Sequence, residues 1–122
     1  MMSGYEQYSA HMDETHHVHK LDAPSGTAIT LANGITENHA AYDNWTLHPE
    51  KKENGLTITS HRIDEVPGTH QITYSSENDE IEIKHTAKSR KGFALGSVVA
   101  AEWLSGKKGF YSMSDVLNVN LR

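Results

Sequence analysis

Between Gly55 and Lys84 the apolar residues recur at every second position, and that period limits the fold more than any other feature of the chain. Leu56 and Ile58 alternate with Thr57 and Thr59, Ile72 and Tyr74 with Thr73, and Ile81 and Ile83 with Glu80, Glu82 and Lys84. A period of two sends successive side chains to opposite faces of a pleated strand, so these segments read as three half-buried strands. Pro67-Gly68 and the stretch from Ser75 to Asp79 interrupt them with turn residues, and an antiparallel meander is the simplest way to join them. An earlier segment, Ala10 to Lys20, holds Met12, Thr15 and Val18 without Gly or Pro and reads as a further strand.

The spacing becomes helical twice. Asp22-Ala23-Pro24-Ser25-Gly26-Thr27 is rich in turn and cap residues and leads into Ala28, Ile29, Leu31, Ala32 and Ile35, so a helix is predicted from about Ser25. Asn33-Gly34 weakens it, since Gly costs about 1 kcal/mol against Ala inside a helix. Leu95, Val99 and Trp103, with Ala94 and Val98 beside them, predict a second helix that stops at Gly106, Lys107 and Lys108. The tail from Phe110 to Leu121 is apolar and short, with Ser114 or Asp115 able to cap one turn. This order predicts an α+β fold, with a mixed or mostly antiparallel sheet of about four strands and helices covering one face.

At 122 residues, with 36% apolar and 22% charged residues, the chain is expected to be one soluble domain. Eleven basic against sixteen acidic side chains leave a net charge of -5, which argues against a surface for nucleic acid or anionic membrane. The absence of Cys excludes disulfides, thiolate metal sites and a Cys nucleophile. No apolar run approaches the roughly 18 residues of a membrane span, and Met1 to Ala10 lacks the regions of a signal peptide. A cytoplasmic location is expected.

The densest reactive group is His16-His17-Val18-His19-Lys20, just before the Pro-Ser-Gly-Thr turn. On an extended strand His16 and Lys20 share one face, while His17 and His19 take the other. A Lys beside imidazoles suits an anionic substrate that also needs a proton. A solvated polar strand is the plain alternative. His-x-His can also chelate zinc, although no HExxH motif or carboxylate at ligand spacing accompanies it. The start of a helix at Ser25-Gly26-Thr27 presents unpaired amides and the positive end of the helix dipole, which suits a carboxylate or phosphate; Ser25 acting only as a cap is compatible with this. Together these residues would form one pocket for a small, multiply charged anion. Farther on, Lys84, His85, Lys88, Arg90 and Lys91 make a second basic group, in which Arg90 and Phe93 can hold and stack a planar charged ligand at a helix entrance; a solvated basic turn is the equal alternative. The histidines at 11, 39, 48, 61 and 70 are read as scattered surface residues.

The run Glu14-Thr15-His16-His17-Val18-His19-Lys20-Leu21-Asp22-Ala23-Pro24-Ser25-Gly26-Thr27-Ala28 resembles the signature of bacterial 4-hydroxy-tetrahydrodipicolinate reductases, enzymes of the diaminopimelate route to lysine. Val66-Pro67-Gly68-Thr69-His70 and the stretch His85 to Gly96 resemble the same family in the same order. The similarity is to the substrate-binding, tetramerising half alone. It implies acid/base chemistry for His16, a substrate contact for His17, proton donation by Lys20, and carboxylate binding by Ser25, Gly26 and Thr27. It places Arg90 and Phe93 toward a nicotinamide cofactor, NADPH or NADH. The Rossmann domain that holds this cofactor in the family, with its Gly-rich loop, has no counterpart here, so the fragment is not expected to turn over alone. Other readings are a stand-alone ligand-binding or oligomerisation domain and a His-cluster metal-binding module. The resemblance also implies a homotetramer, and the second faces of the strands, read as carrying Thr, Tyr and Ile, support self-association with both helices on the opposite face.

Overall fold

The computed structural model describes residues 2–118, which divide into two compact units between Lys88 and Ser89. The first unit contains β1 (Ser9–His16), α1 (Gly26–Thr36), β2 (Asn44–Leu47), β3 (Gly55–Arg62), β4 (Thr69–Ser75) and β5 (Glu80–Thr86). The five strands form one mixed sheet in the order β2-β3-β1-β4-β5. β1 runs parallel to β3 and antiparallel to β4, β2 is parallel to β3, and β4 and β5 are antiparallel.

The α+β class is as expected, but the connection is not a meander. Of the three strands expected to form it, only β4 and β5 are neighbours, because β1 lies between β3 and β4. The reason is on β1 itself: Ala10, Met12, Glu14 and His16 are all buried on one face, and a strand with such a stripe belongs at the centre of a sheet. The sheet also has five strands where about four were expected. The extra strand, β2, has only four residues, too few for a legible alternation.

β1 ends earlier than the sequence predicts. After His16 the chain turns away, with Lys20 N–H donating to the His17 carbonyl at 3.1 Å and Val18 N–H to that of Asp64 at 3.1 Å. His17 and His19 therefore do not occupy the reverse face of a continuing strand; His19 instead reaches Glu65 at 2.9 Å.

α1 begins where the cap chemistry places it. Ser25 has extended dihedrals and its Oγ accepts from Ala28 N–H at 3.2 Å, which satisfies one of the helix's unpaired amides. The helix continues through Asn33-Gly34, where the Asn33 side chain accepts from Trp45 Nε1 at 3.2 Å. Its buried residues Ala28, Ala32 and Ile35 meet Ala10, Met12, Leu56, Ile58 and Tyr74, which form the core. Small residues on the helix let it sit close to the larger side chains of the sheet.

Paired residues in a ladder share a face, and the register fixes which ones. Met12 is paired with both Ile58 and Ile72, and Ala10 with Tyr74, so the Ile and Tyr side chains of β3 and β4 point toward α1. The expectation that Tyr and Ile line the second face is corrected accordingly: that face carries His11, Asp13, Thr57, Thr59, Gln71 and Thr73.

The second unit contains α2 (Lys91–Leu104) and α3 (Met113–Val116). α2 is followed by Gly106 in the left-handed region, φ 76°, as the sequence stop predicts. Its apolar Leu95, Val98 and Val99 are exposed. The turn at α3 is capped by Ser112 rather than Ser114, with the Asp115 carboxylate accepting from Ser112 N–H at 2.6 Å and from its hydroxyl at 2.8 Å. Trp103 and Tyr111 meet edge to face at 5.2 Å, and the Lys107 ammonium lies 4.3 Å from the Trp103 ring. The end of the predicted tail, including Leu121, lies outside the described residues. Among the described residues no helix is long and apolar enough to cross a membrane.

Candidate active site

Three apolar stripes turn polar at the same end of the sheet. On β1 the buried series Ala10, Met12 continues as Glu14 and His16; on β3 Leu56 and Ile58 continue as Ser60 and Arg62; on β4 Tyr74 and Ile72 lead back to His70. The register then brings the polar ends together, pairing Glu14 with Ser60 and His70, and His16 with Arg62. The site is thus built where central strands hand their core-facing positions to ionisable residues.

Glu14 is fully buried, and it is tied on both sides. One carboxylate oxygen forms a short hydrogen bond with His16 Nδ1, and the other lies 2.9 Å from Arg62 Nη2. Burial alone would raise the Glu14 pKa, but Ser60, Arg62 and His16 outweigh it and hold the carboxyl below its ordinary value. Arg62 does more than neutralise Glu14. It donates to the carbonyls of His61 at 2.7 Å and Asp22 at 2.6 Å, and Nε to that of Lys20 at 3.4 Å, so it anchors the segment that carries Lys20. The Lys20 ammonium in turn lies 2.8 Å from the Asp22 carboxylate, whose pKa is lowered chiefly by that hydrogen bond.

His70 links the strands to the helix. Its ring meets that of His16 edge to face at 5.1 Å, and its Nε2 lies 3.0 Å from Ser25 Oγ, the α1 cap. Burial first, and the neighbouring His16 second, depress the His70 pKa, which favours the neutral ring. Gly68 lines the other side of His16. It has φ 156°, and a Cβ there would stand 3.1 Å from His16 Nε2, so a side chain at this position would displace the imidazole. Gly26, by contrast, faces open space: a Cβ added there meets nothing within 4 Å.

Of the residues singled out in the sequence, His16, Lys20 and Ser25 are joined through Glu14, Arg62 and His70. Gly26 and Thr27 form the exposed first turn of α1, and His17 is half-buried at the turn that follows β1. Arg90 and Phe93 are exposed at the start of α2, in the second unit. Three functional candidates were missed. Glu14 and Arg62 were not singled out, and His70 was read as a surface residue although it is half-buried in the site; His39, also read as surface, is buried. The rings of the His-x-His pair, His17 and His19, lie 6.0 Å apart, and among the described residues neither belongs to a group of three potential metal ligands. Glu14, His16 and His70 do offer atoms within 4.8 Å of one another, but the Arg62 guanidinium beside Glu14 opposes a second cation there.

The arrangement combines the exposed first turn of a helix, an ammonium and a carboxylate-linked imidazole, groups of the kinds that bind an acid and move a proton. The family model described as dihydrodipicolinate reductase, C-terminus, matches residues 1–117. The chain belongs to this family. Within the dihydrodipicolinate reductase family it is similar to the 4-hydroxy-tetrahydrodipicolinate reductase of Christiangramia forsetii, with 54% identity over 97% of this chain and 49% of that protein. The Clostridium novyi protein of the same name is 37% identical over 93% of this chain and 47% of its own length. The dipicolinate-bound dihydrodipicolinate reductase from Paenisporosarcina sp. TG-14 superposes with a TM-score of 0.69 at 26% identity, covering 93% of this chain and 46% of that one. The chain spans about half the length of the curated reductases it matches.

Proposed function

We propose that this chain is the substrate-binding and acid/base half of an NAD(P)H-dependent reductase that converts 4-hydroxy-tetrahydrodipicolinate to tetrahydrodipicolinate. The observation that carries this reading is the connection of His16 and the Lys20 backbone to the capped start of α1 through one partly buried network, in a family whose Paenisporosarcina member binds dipicolinate. A cyclic dicarboxylate would place one carboxylate on the amides of Ser25, Gly26 and Thr27, where the open space at Gly26 admits it. His17 would contact the same molecule. Lys20, held by Asp22, would supply the proton, and His16 would buffer that transfer.

The nicotinamide supplies the hydride when bound. This chain has no Gly-rich strand-turn-helix that could hold a dinucleotide phosphate, so the cofactor would rest mainly on a separate nucleotide-binding domain. Arg90 and Phe93 offer an exposed cation and ring that suit its edge.

The test is a hybrid in which this chain replaces the matching half of the Christiangramia forsetii reductase. It should turn over with NADPH or NADH, and Lys20→Ala should lower kcat by about 100-fold while KM changes little, because a positioned proton donor contributes on that order. A folded hybrid without activity would sink the reductase reading. A Lys20→Ala kcat within about threefold of the parent would remove Lys20 from the chemistry.

A further inference from the structure

We propose that Glu14 is a positioning residue that holds His16 in the Nδ1–H tautomer, leaving Nε2 as the only nitrogen of the neutral ring able to take up a proton. The inference rests on the reading of His16 as an acid/base group and adds to it the residue that sets its working form. An ionised carboxylate only accepts hydrogen bonds, so the contact between Glu14 Oε2 and His16 Nδ1 requires the proton on Nδ1. The carboxylate is kept ionised by its surroundings, with Arg62 at 2.9 Å on its far oxygen. Nε2 then points to the side lined by Gly68, where an added Cβ would stand 3.1 Å from it.

Arg62 makes the proposal testable, because its own position does not depend on Glu14 alone. Its guanidinium is also held by the carbonyls of His61 and Asp22. In Glu14→Gln, the fixed positive charge of the guanidinium on that side favours the amide oxygen over the amide NH2 there, which turns the NH2 toward His16 Nδ1. Nδ1 must then accept, and the ring proton moves to Nε2. A purely structural Glu14–Arg62 pair predicts no such exchange.

The experiment is long-range 1H–15N correlation of the 122-residue chain with 15N-labelled histidine, at a pH where titration shows the His16 ring to be neutral. The parent chain should show the Nδ1–H pattern for His16, and Glu14→Gln the Nε2–H pattern. An Nε2–H ring in the parent, or an unchanged ring in folded Glu14→Gln, overturns the proposal; the parent spectrum decides it even if the variant does not fold. In the hybrid reductase, Glu14→Gln should lower kcat at least about tenfold with KM for the dicarboxylate within about threefold. A switched tautomer with unchanged kcat supports the positioning role of Glu14 and overturns instead the acid/base role of His16.

Discussion

His70 sits between two parts of the site, edge-on to His16 and 3.0 Å from the hydroxyl that caps α1, and its pKa is depressed from the ordinary 6.5 by burial and by the imidazole beside it. Glu14 opposes that shift, while His85 and Lys20 add to it. A histidine whose pKa is lower in the folded chain than in the unfolded one stabilises the fold fully above the unfolded value. As pH falls below 6.5 the unfolded chain gains a proton that the native His70 still refuses, and stability drops until the folded pKa is passed. Glu14 acts lower on the scale: its pKa is depressed from 4.5, so its contribution is present above that value and lost below it. Between the two windows His70 is the group expected to set the slope. Urea unfolding at about pH 7 and about pH 5 should show the parent losing stability on acidification, and His70→Asn losing clearly less. Equal losses in the two proteins would mean that His70 titrates in the folded chain as it does in the unfolded one.

At the scale of elements, α1 joins the fold to the proposed chemistry, because its first turn is at once a helix end in need of partners and the place offered to a carboxylate. Gly26→Val separates the two roles. An added Cβ meets no protein atom within 4 Å, and Val is no worse than Gly in a helix, so the fold should survive. The branched side chain would instead fill the approach to the amides, and calorimetry on the cofactor-loaded hybrid should show pyridine-2,6-dicarboxylate binding weakened at least about tenfold. Unchanged affinity in a folded variant would put the anion elsewhere. This helix start was legible in the sequence because Ser25 acts on a neighbour three residues away, and local chemistry leaves a local pattern. β4 and β5 were legible for the same reason. The central position of β1 was not, since half of its buried stripe is Glu14 and His16, whose partners Arg62 and His70 come from strands distant in sequence. A signal did exist: extending the period of two by one step from Ile72 reaches His70, and by two steps from Met12 reaches Glu14 and His16. Polar residues at positions that alternation assigns to a core are candidates for a site.

For the whole molecule, the question is what meets the second face of the sheet, since the single helix of the first unit packs on the other. That face is polar but not uniformly charged. Asp13 lies between His61 at 2.9 Å and His11 at 3.2 Å, Gln71 donates to Glu82 at 2.9 Å, and Thr57, Thr59 and Thr73 fill positions among them. Side chains already paired with one another bring little unsatisfied charge into an interface, and threonines supply both methyl surface and hydroxyls. The Tyr and Ile residues of β3 and β4 expected here point to the core, so the driving force for association is weaker per unit area than the sequence suggests, and close fit with matched hydrogen bonds must supply more of it. A closed symmetric assembly can meet that need by repeating the same self-complementary contact. The resemblance to the family implies a homotetramer, with a dimer as the smaller alternative, and this face is the surface we propose for it. Light scattering at micromolar concentration should give close to four times the 13.6 kDa chain mass. Asp13→Lys, which sets a cation between His11 and His61 on that face without touching the core, should lower the mass to that of a smaller species while leaving the fold intact. A parent chain that is monodisperse as a monomer would leave this face to solvent and remove it from any assembly.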